Sequence, residues 1–149
     1  MPKKTEKESR NIGAYANATK MFLRDTIRML CSSENTPYRV RLGAEHLFEL
    51  RYALKSLHAL LKVGGWRYSD EHDHKKKDPS ELRAYASLAG DFLKATIQII
   101  RSKEHAAIRK RFGSRRLLQF RYTQNSLKAV AEVLDQYEEE HEDEYEDDD

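Results

Sequence analysis

Eight basic side chains fall between Arg101 and Arg121 against a single acid, Glu104: Arg101, Lys103, Arg109, Lys110, Arg111, Arg115, Arg116 and Arg121. A single-sign cluster of this kind does more than keep a surface hydrated. Guanidinium forks take phosphate oxygens two at a time, and a basic strip gives salt-sensitive affinity for nucleic acid with little regard to sequence. A thinner version precedes it at Arg39, Arg41 and Arg51. The residues expected to carry phosphate contacts are Arg39, Arg41, Lys103, Arg109, Lys110, Arg111, Arg115 and Arg116. Arg51 and Arg121 sit beside Tyr52 and Tyr122, where structural pairing or snorkelling is the better expectation.

Other chemistries have weaker claims. The segment Arg41-Leu-Gly-Ala-Glu-His46 has an Arg-x4-His spacing that resembles the RNase motif of HEPN-type helical domains. That resemblance implies RNA cleavage across a dimer. It departs from the pattern at Leu42, where a polar residue is usual, and Arg116 stands at the place equivalent to His46. His72-Asp73-His74 with Asp70 and Glu71 is a conceivable metal patch, but it lies in a polar, lysine-flanked stretch without a scaffold. There is no Gly-rich phosphate loop, no nucleophile–base arrangement and no Glu-x-x-His pair of the di-iron kind. The expectation is a non-enzymatic chain without cofactor or metal. Among the aromatics, Tyr15, Tyr85, Tyr52 and Tyr122 are spaced as core residues. Tyr38, next to Arg39, is the better candidate for stacking on a base.

The elements that would position these groups come in two copies. Displaced so that Ala14 falls on Ala84, the sequence matches itself at 19 of the 50 positions from Ala14 to Val63, without a gap. Unrelated sequences would match at roughly 3, at ~6% per position. Arg39, Arg41 and Gly43 fall on Arg109, Arg111 and Gly113. Each copy reads as a helical hairpin. The first helices are expected over 12–32 and 80–102, where Tyr15, Ala18, Phe22 and Met29, then Tyr85, Leu88, Phe92 and Ile99, recur at helical spacing. Asp78-Pro79-Ser80-Glu81 is a strong start signal, with Asp as N-cap and Pro at the first helical position. The second helix of copy one carries Leu47, Leu50, Leu54, Leu57 and Leu61 in steps of three and four, a seam for another helix. Its counterpart, Leu117, Phe120, Gln124, Leu127 and Ala131, is interrupted by one polar residue. Thr36 and Ser114 are candidate N-caps, and Gly43 and Gly113 mark a bend.

One hairpin cannot bury its stripe alone. The expected fold is all-α: a tandem duplication of a helical hairpin forming a four-helix bundle with a pseudo-two-fold axis. Residues 12–63 and 78–136 are the repeats and 64–77 the linker. An open pair of hairpins completed by a second chain would satisfy the same seams, so a homodimer is a candidate state.

The charge balance supports a polyanion partner. The chain has 149 residues and a formal charge of +2, yet ten of its 25 acids lie between Glu138 and Asp149. Residues 1–137 therefore carry 27 basic and 15 acidic side chains, a balance of +12. Such an acidic block repels itself, so 138–149 is expected to be disordered, and 1–11 a flexible basic N-terminus. The tail would compete in cis for the basic surface, solubilise the protein, or recruit a basic partner. No window approaches the ~18 apolar residues of a membrane span, and Met1-Pro2-Lys3-Lys4 has no apolar run behind it of the secretory kind. Cys31 is the only cysteine, which favours a reducing compartment, cytoplasm or nucleus. Residues 22–55, with Phe22-Leu23, Ile27-Arg28, Arg39-Val40 and Tyr52-Ala53-Leu54-Lys55, resemble the second half of a histone fold. The resemblance covers under a third of the chain and implies polyanion binding. Copy two departs from it by lacking the Ala-Leu-Lys ending. Nucleic-acid binding is the expected function, with a structural or adaptor role as the alternative and a HEPN-like RNase third.

Overall fold

The computed structural model describes the backbone of residues 2–65 and 77–146 and the side chains of 12–65 and 77–141. The described residues are helical, with no strand among them. Six helices follow in order: α1 (Pro2–Leu30), α2 (Thr36–Leu42), α3 (Ala44–Gly64), α4 (Leu82–Ile100), α5 (Ala106–Phe112) and α6 (Ser114–Glu146). Short 3-10 turns at Ser33–Asn35, Pro79–Glu81 and Lys103–His105 precede α2, α4 and α5. No helix among the described residues is long and apolar enough to cross a membrane.

The four long helices share one core, with α1 against α4 and α3, and α6 against α4 and α3. Phe22 of α1 stacks on Phe92 of α4 with centroids 5.4 Å apart, Tyr15 reaches Phe92, and Phe22 reaches Tyr85. Rising numbers on α1 meet falling numbers on α4, so the two run antiparallel. Thr19, Thr26 and Thr96 are buried in this region, and each hydroxyl donates to the carbonyl four residues back on its own helix. The hydroxyl oxygens of Thr19 and Thr96 approach to 3.3 Å. Their protons are used locally, so this approach leaves no donor unpaired. His46 near the start of α3 meets Ser126 midway along α6. In the shared core lie Leu23, Leu30, Leu50, Leu57, Leu61, Leu93, Ile100, Phe120 and Leu127, all buried. Full burial of each such side chain is worth about 1.5–3 kcal/mol.

The expected seam on α3 is present. Leu50, Leu57 and Leu61 are buried, and Leu47 and Leu54 are half-buried against the same core. On α6, Phe120 and Leu127 are buried while Gln124 and Ala131 sit at the margin. The N-cap expectation at Asp78 also holds: its carboxylate accepts the Ser80 amide at 3.0 Å. Thr36 is not a cap. Its hydroxyl donates to the Ser33 carbonyl, and it is the first residue of α2.

Gly43 and Gly113 stand at bends between consecutive helices. Each separates a seven-residue helix, α2 or α5, from the long helix after it. Both glycines have φ above +90° with extended ψ, a conformation closed to side-chain-bearing residues. The N-terminus is helical from Pro2, in line with its Lys and Glu content. α6 runs into the acidic segment, as far as Glu146. The first residues of that segment find partners on the body. Glu138, with Asp135, holds Arg83 of α4; Glu140 holds Arg41; and the Tyr137 ring packs edge-on against Tyr38 at 4.9 Å. The linker from 66 onward, with the His72-Asp73-His74 patch, lies outside the described residues.

Element bounds in the second half repeat those in the first at the offset of the sequence match: 3-10 turns at 33 and 103, short helices at 36 and 106, long helices at 44 and 114.

Candidate nucleic-acid interface

The eight basic residues singled out from sequence divide into two groups. Arg39 and Arg109 are committed to the fold. Arg39 Nη1 donates to the carbonyls of Leu30 (2.6 Å) and Ser32 (3.3 Å), and Nη2 reaches Thr36 Oγ1. Arg109 Nη1 repeats the arrangement, donating to Ile100 (2.8 Å) and Ser102 (3.1 Å). Leu30 and Ile100 close α1 and α4, and the last carbonyls of a helix have no partner within it. Each guanidinium fork therefore caps a helix C-terminus, where its charge also meets the negative end of the helix dipole. Both residues are half-buried and drop out as phosphate contacts.

Arg41 and Arg111 occupy matching places at the ends of α2 and α5, but their surroundings differ. Arg41 pairs with Glu140 at 2.5 Å and lies over the Tyr137 ring, 5.2 Å from its centroid. The hydrogen bond to Glu140 raises the Arg41 pKa, and the same bond holds the Glu140 carboxyl below its ordinary value. Arg111 is exposed and has no acid partner among the described residues. The same is true of Lys103, Lys110 and Arg115. Arg116 is exposed, with Nη1 on the Phe112 carbonyl at 3.3 Å and its plane over the Phe112 ring. The structure thus leaves Lys103, Lys110, Arg111, Arg115 and Arg116 open on the turn before α5, on α5 and on the first turn of α6.

Tyr38 is not available for stacking, because it is spent on Tyr137. Burial, and then Tyr137 and Glu138 nearby, push its phenol pKa up. Arg51 is exposed, with one long contact of 3.5 Å to Cys31 Sγ, and Arg121 is exposed.

Arg41 and His46, the RNase-like pair, have different partners within the chain. Arg41 is bound to Glu140 while His46 Nδ1 is 2.9 Å from Ser126 Oγ. Ser126 and Glu140 both belong to α6 but stand roughly four helical turns apart, so the two side chains serve different parts of that helix. No group of three or more His, Cys, Asp or Glu that could hold a metal occurs among the described residues.

Sequence reasoning missed an apolar stripe. Tyr52 and Tyr122, expected in the core, are 39% and 51% exposed, and Phe48 (64%) and Leu118 (48%) join them. The four lie where α3 and α6 run side by side. There, two shallow clefts of about 750 and 540 Å³ share Glu49 and Tyr122 in their walls. The signal was present in the spacing. Positions 48 and 52, like 118 and 122, fall on the helix face turned away from Leu50, Leu57 and Leu61, and from Phe120 and Leu127.

No protein-family model matches the chain, and no curated protein or solved structure matches it.

Proposed function

We propose that this chain is a non-enzymatic, nucleic-acid-binding protein that holds its ligand through phosphates, on a four-helix bundle made by tandem duplication of one helical hairpin. The binding surface is the corner formed by the turn before α5, α5 itself and the start of α6, with Lys103, Lys110, Arg111, Arg115 and Arg116 as phosphate contacts. The observation that carries the reading is the difference between matched corners. Arg41 is neutralised by Glu140, whereas Arg111 and its neighbours are exposed without an acid partner among the described residues. Unpaired like charges this close in sequence repel one another, and a polyanion relieves that repulsion while releasing its own counterions.

The test is binding of the full chain to labelled single- and double-stranded DNA and RNA over a salt series, beside Lys103→Ser/Lys110→Ser/Arg111→Ser. The wild-type affinity should fall linearly on a log–log salt plot. The variant should bind more weakly, with a slope shallower by about 0.7–0.9 for each phosphate neutralisation removed. Absence of wild-type binding at low salt refutes the reading. A structural or adaptor role is the second reading, and the exposed stripe of α3 and α6 favours it, since contiguous apolar patches mark protein-binding faces.

A further inference from the structure

The stripe on α3 and α6 has an order. Along this stripe α3 exposes Glu45, Phe48 and Tyr52, and α6 exposes Arg115, Leu118 and Tyr122. Both series step by three and four, so each forms one line along its helix. The helices are antiparallel here: Ala44 and His46 share a cleft with Asn125 and Ser126, whereas Tyr52 shares the other with Leu118 and Gln119. The face is therefore apolar in the middle, acidic at the end where α3 begins and basic at the end where α6 begins. Glu49 Oε2 lies in this face with no hydrogen-bond partner among the described residues.

We propose that this face binds a second copy of the same chain, in a symmetric dimer. A face acidic at one end and basic at the other is complementary to itself. Two copies laid face to face about a two-fold axis across the helices bring the Glu45 end of each onto the Arg115 end of its partner. Phe48, Tyr52, Leu118 and Tyr122 then leave water together, and aromatic side chains so buried are the usual anchors of an interface. A nucleic acid fits this face less well than it fits the α5 corner, because Glu45 and Glu49 repel phosphate. The dimer does not rest on the nucleic-acid reading; where it forms, Arg115 is taken up by the interface and Lys103, Lys110, Arg111 and Arg116 remain as phosphate contacts.

Sedimentation of the nucleic-acid-free full chain, from low micromolar to sub-millimolar concentration, tests it. The wild type should form dimers. Phe48→Ser/Leu118→Ser changes only exposed positions, so circular dichroism should show an intact helical fold while self-association weakens at least about tenfold. Glu45→Arg alone and Arg115→Glu alone should each weaken the dimer, and mixing the two variants should restore it as a heterodimer. A wild type that stays monomeric overturns the proposal. So does a dimer indifferent to the Phe48/Leu118 change, or one that the mixed charge variants fail to restore. The Lys103/Lys110/Arg111 variant leaves this face untouched, so loss of its nucleic-acid binding with the dimer retained separates the two readings.

Discussion

Arg39 and Arg109 show how a residue type can be read correctly and its role missed. A guanidinium in a basic run suggests phosphate, yet each of these reaches back to the carbonyls nine and seven residues before it. That reach exists only because a 3-10 turn folds the short helix onto the end of the preceding long one, and nothing local in sequence announces it. When the two halves are aligned, Arg39 matches Arg109, but Arg41 matches Arg111 equally well, so identity between the halves did not by itself separate the capping pair from the rest. Arg39→Ala or Arg109→Ala should destabilise the fold by roughly 1.5–3 kcal/mol, the range for hydrogen bonds to a charged group. Arg→Lys should recover only part, since one ammonium cannot reproduce the fork. Urea unfolding followed by circular dichroism measures this. A loss under ~0.5 kcal/mol in both alanine variants would mean that the carbonyls are equally well served by water.

At the scale of elements, the long helices were legible because each keeps an apolar line at steps of three and four. The boundaries were less so. α2 and α5 are seven residues each, too short to display a period, and only the positive φ of Gly43 and Gly113 sets them apart from α3 and α6. The 3-10 turn that leads into α4 was legible because capping is local. Asp78 accepts the Ser80 amide, and that hydrogen bond holds its carboxyl below the ordinary Asp value. A carboxyl whose pKa is lower in the folded state contributes stability above its unfolded pKa, about 3.9, and loses it as pH falls through the folded value. Asp78→Ala should therefore lower the melting temperature at neutral pH, and the gap to wild type should close as pH drops below that range. A gap that persists unchanged in acid would show that the cap acts through shape, not charge.

Across the whole molecule, charge is distributed unevenly in a way that composition hid. A formal +2 conceals a body of +12 and an acidic end, and that much was legible. Where the acidic end goes was not, because it depends on Tyr137, Glu138 and Glu140 lying along α6 opposite α2 and α4. There they pair with Tyr38, Arg83 and Arg41. These contacts neutralise one basic corner in cis and leave its counterpart open, which makes the acidic end an internal competitor in the proposed binding reaction. Deleting residues 138–149 removes ten negative charges and frees Arg41 and part of the valence of Arg83. The truncated chain should bind nucleic acid more tightly than the full chain at low salt, and the advantage should shrink as the Debye length falls from ~30 Å at 0.01 M to ~8 Å at 0.15 M. Arg41→Ala in the truncated chain should give back part of the gain, because in that form Arg41 is a phosphate contact, whereas in the full chain the same change should do little. Fluorescence anisotropy on the four proteins closes this cycle. If truncation leaves affinity unchanged at every salt concentration, the acidic end is a clasp between α6 and the body and has no part in binding.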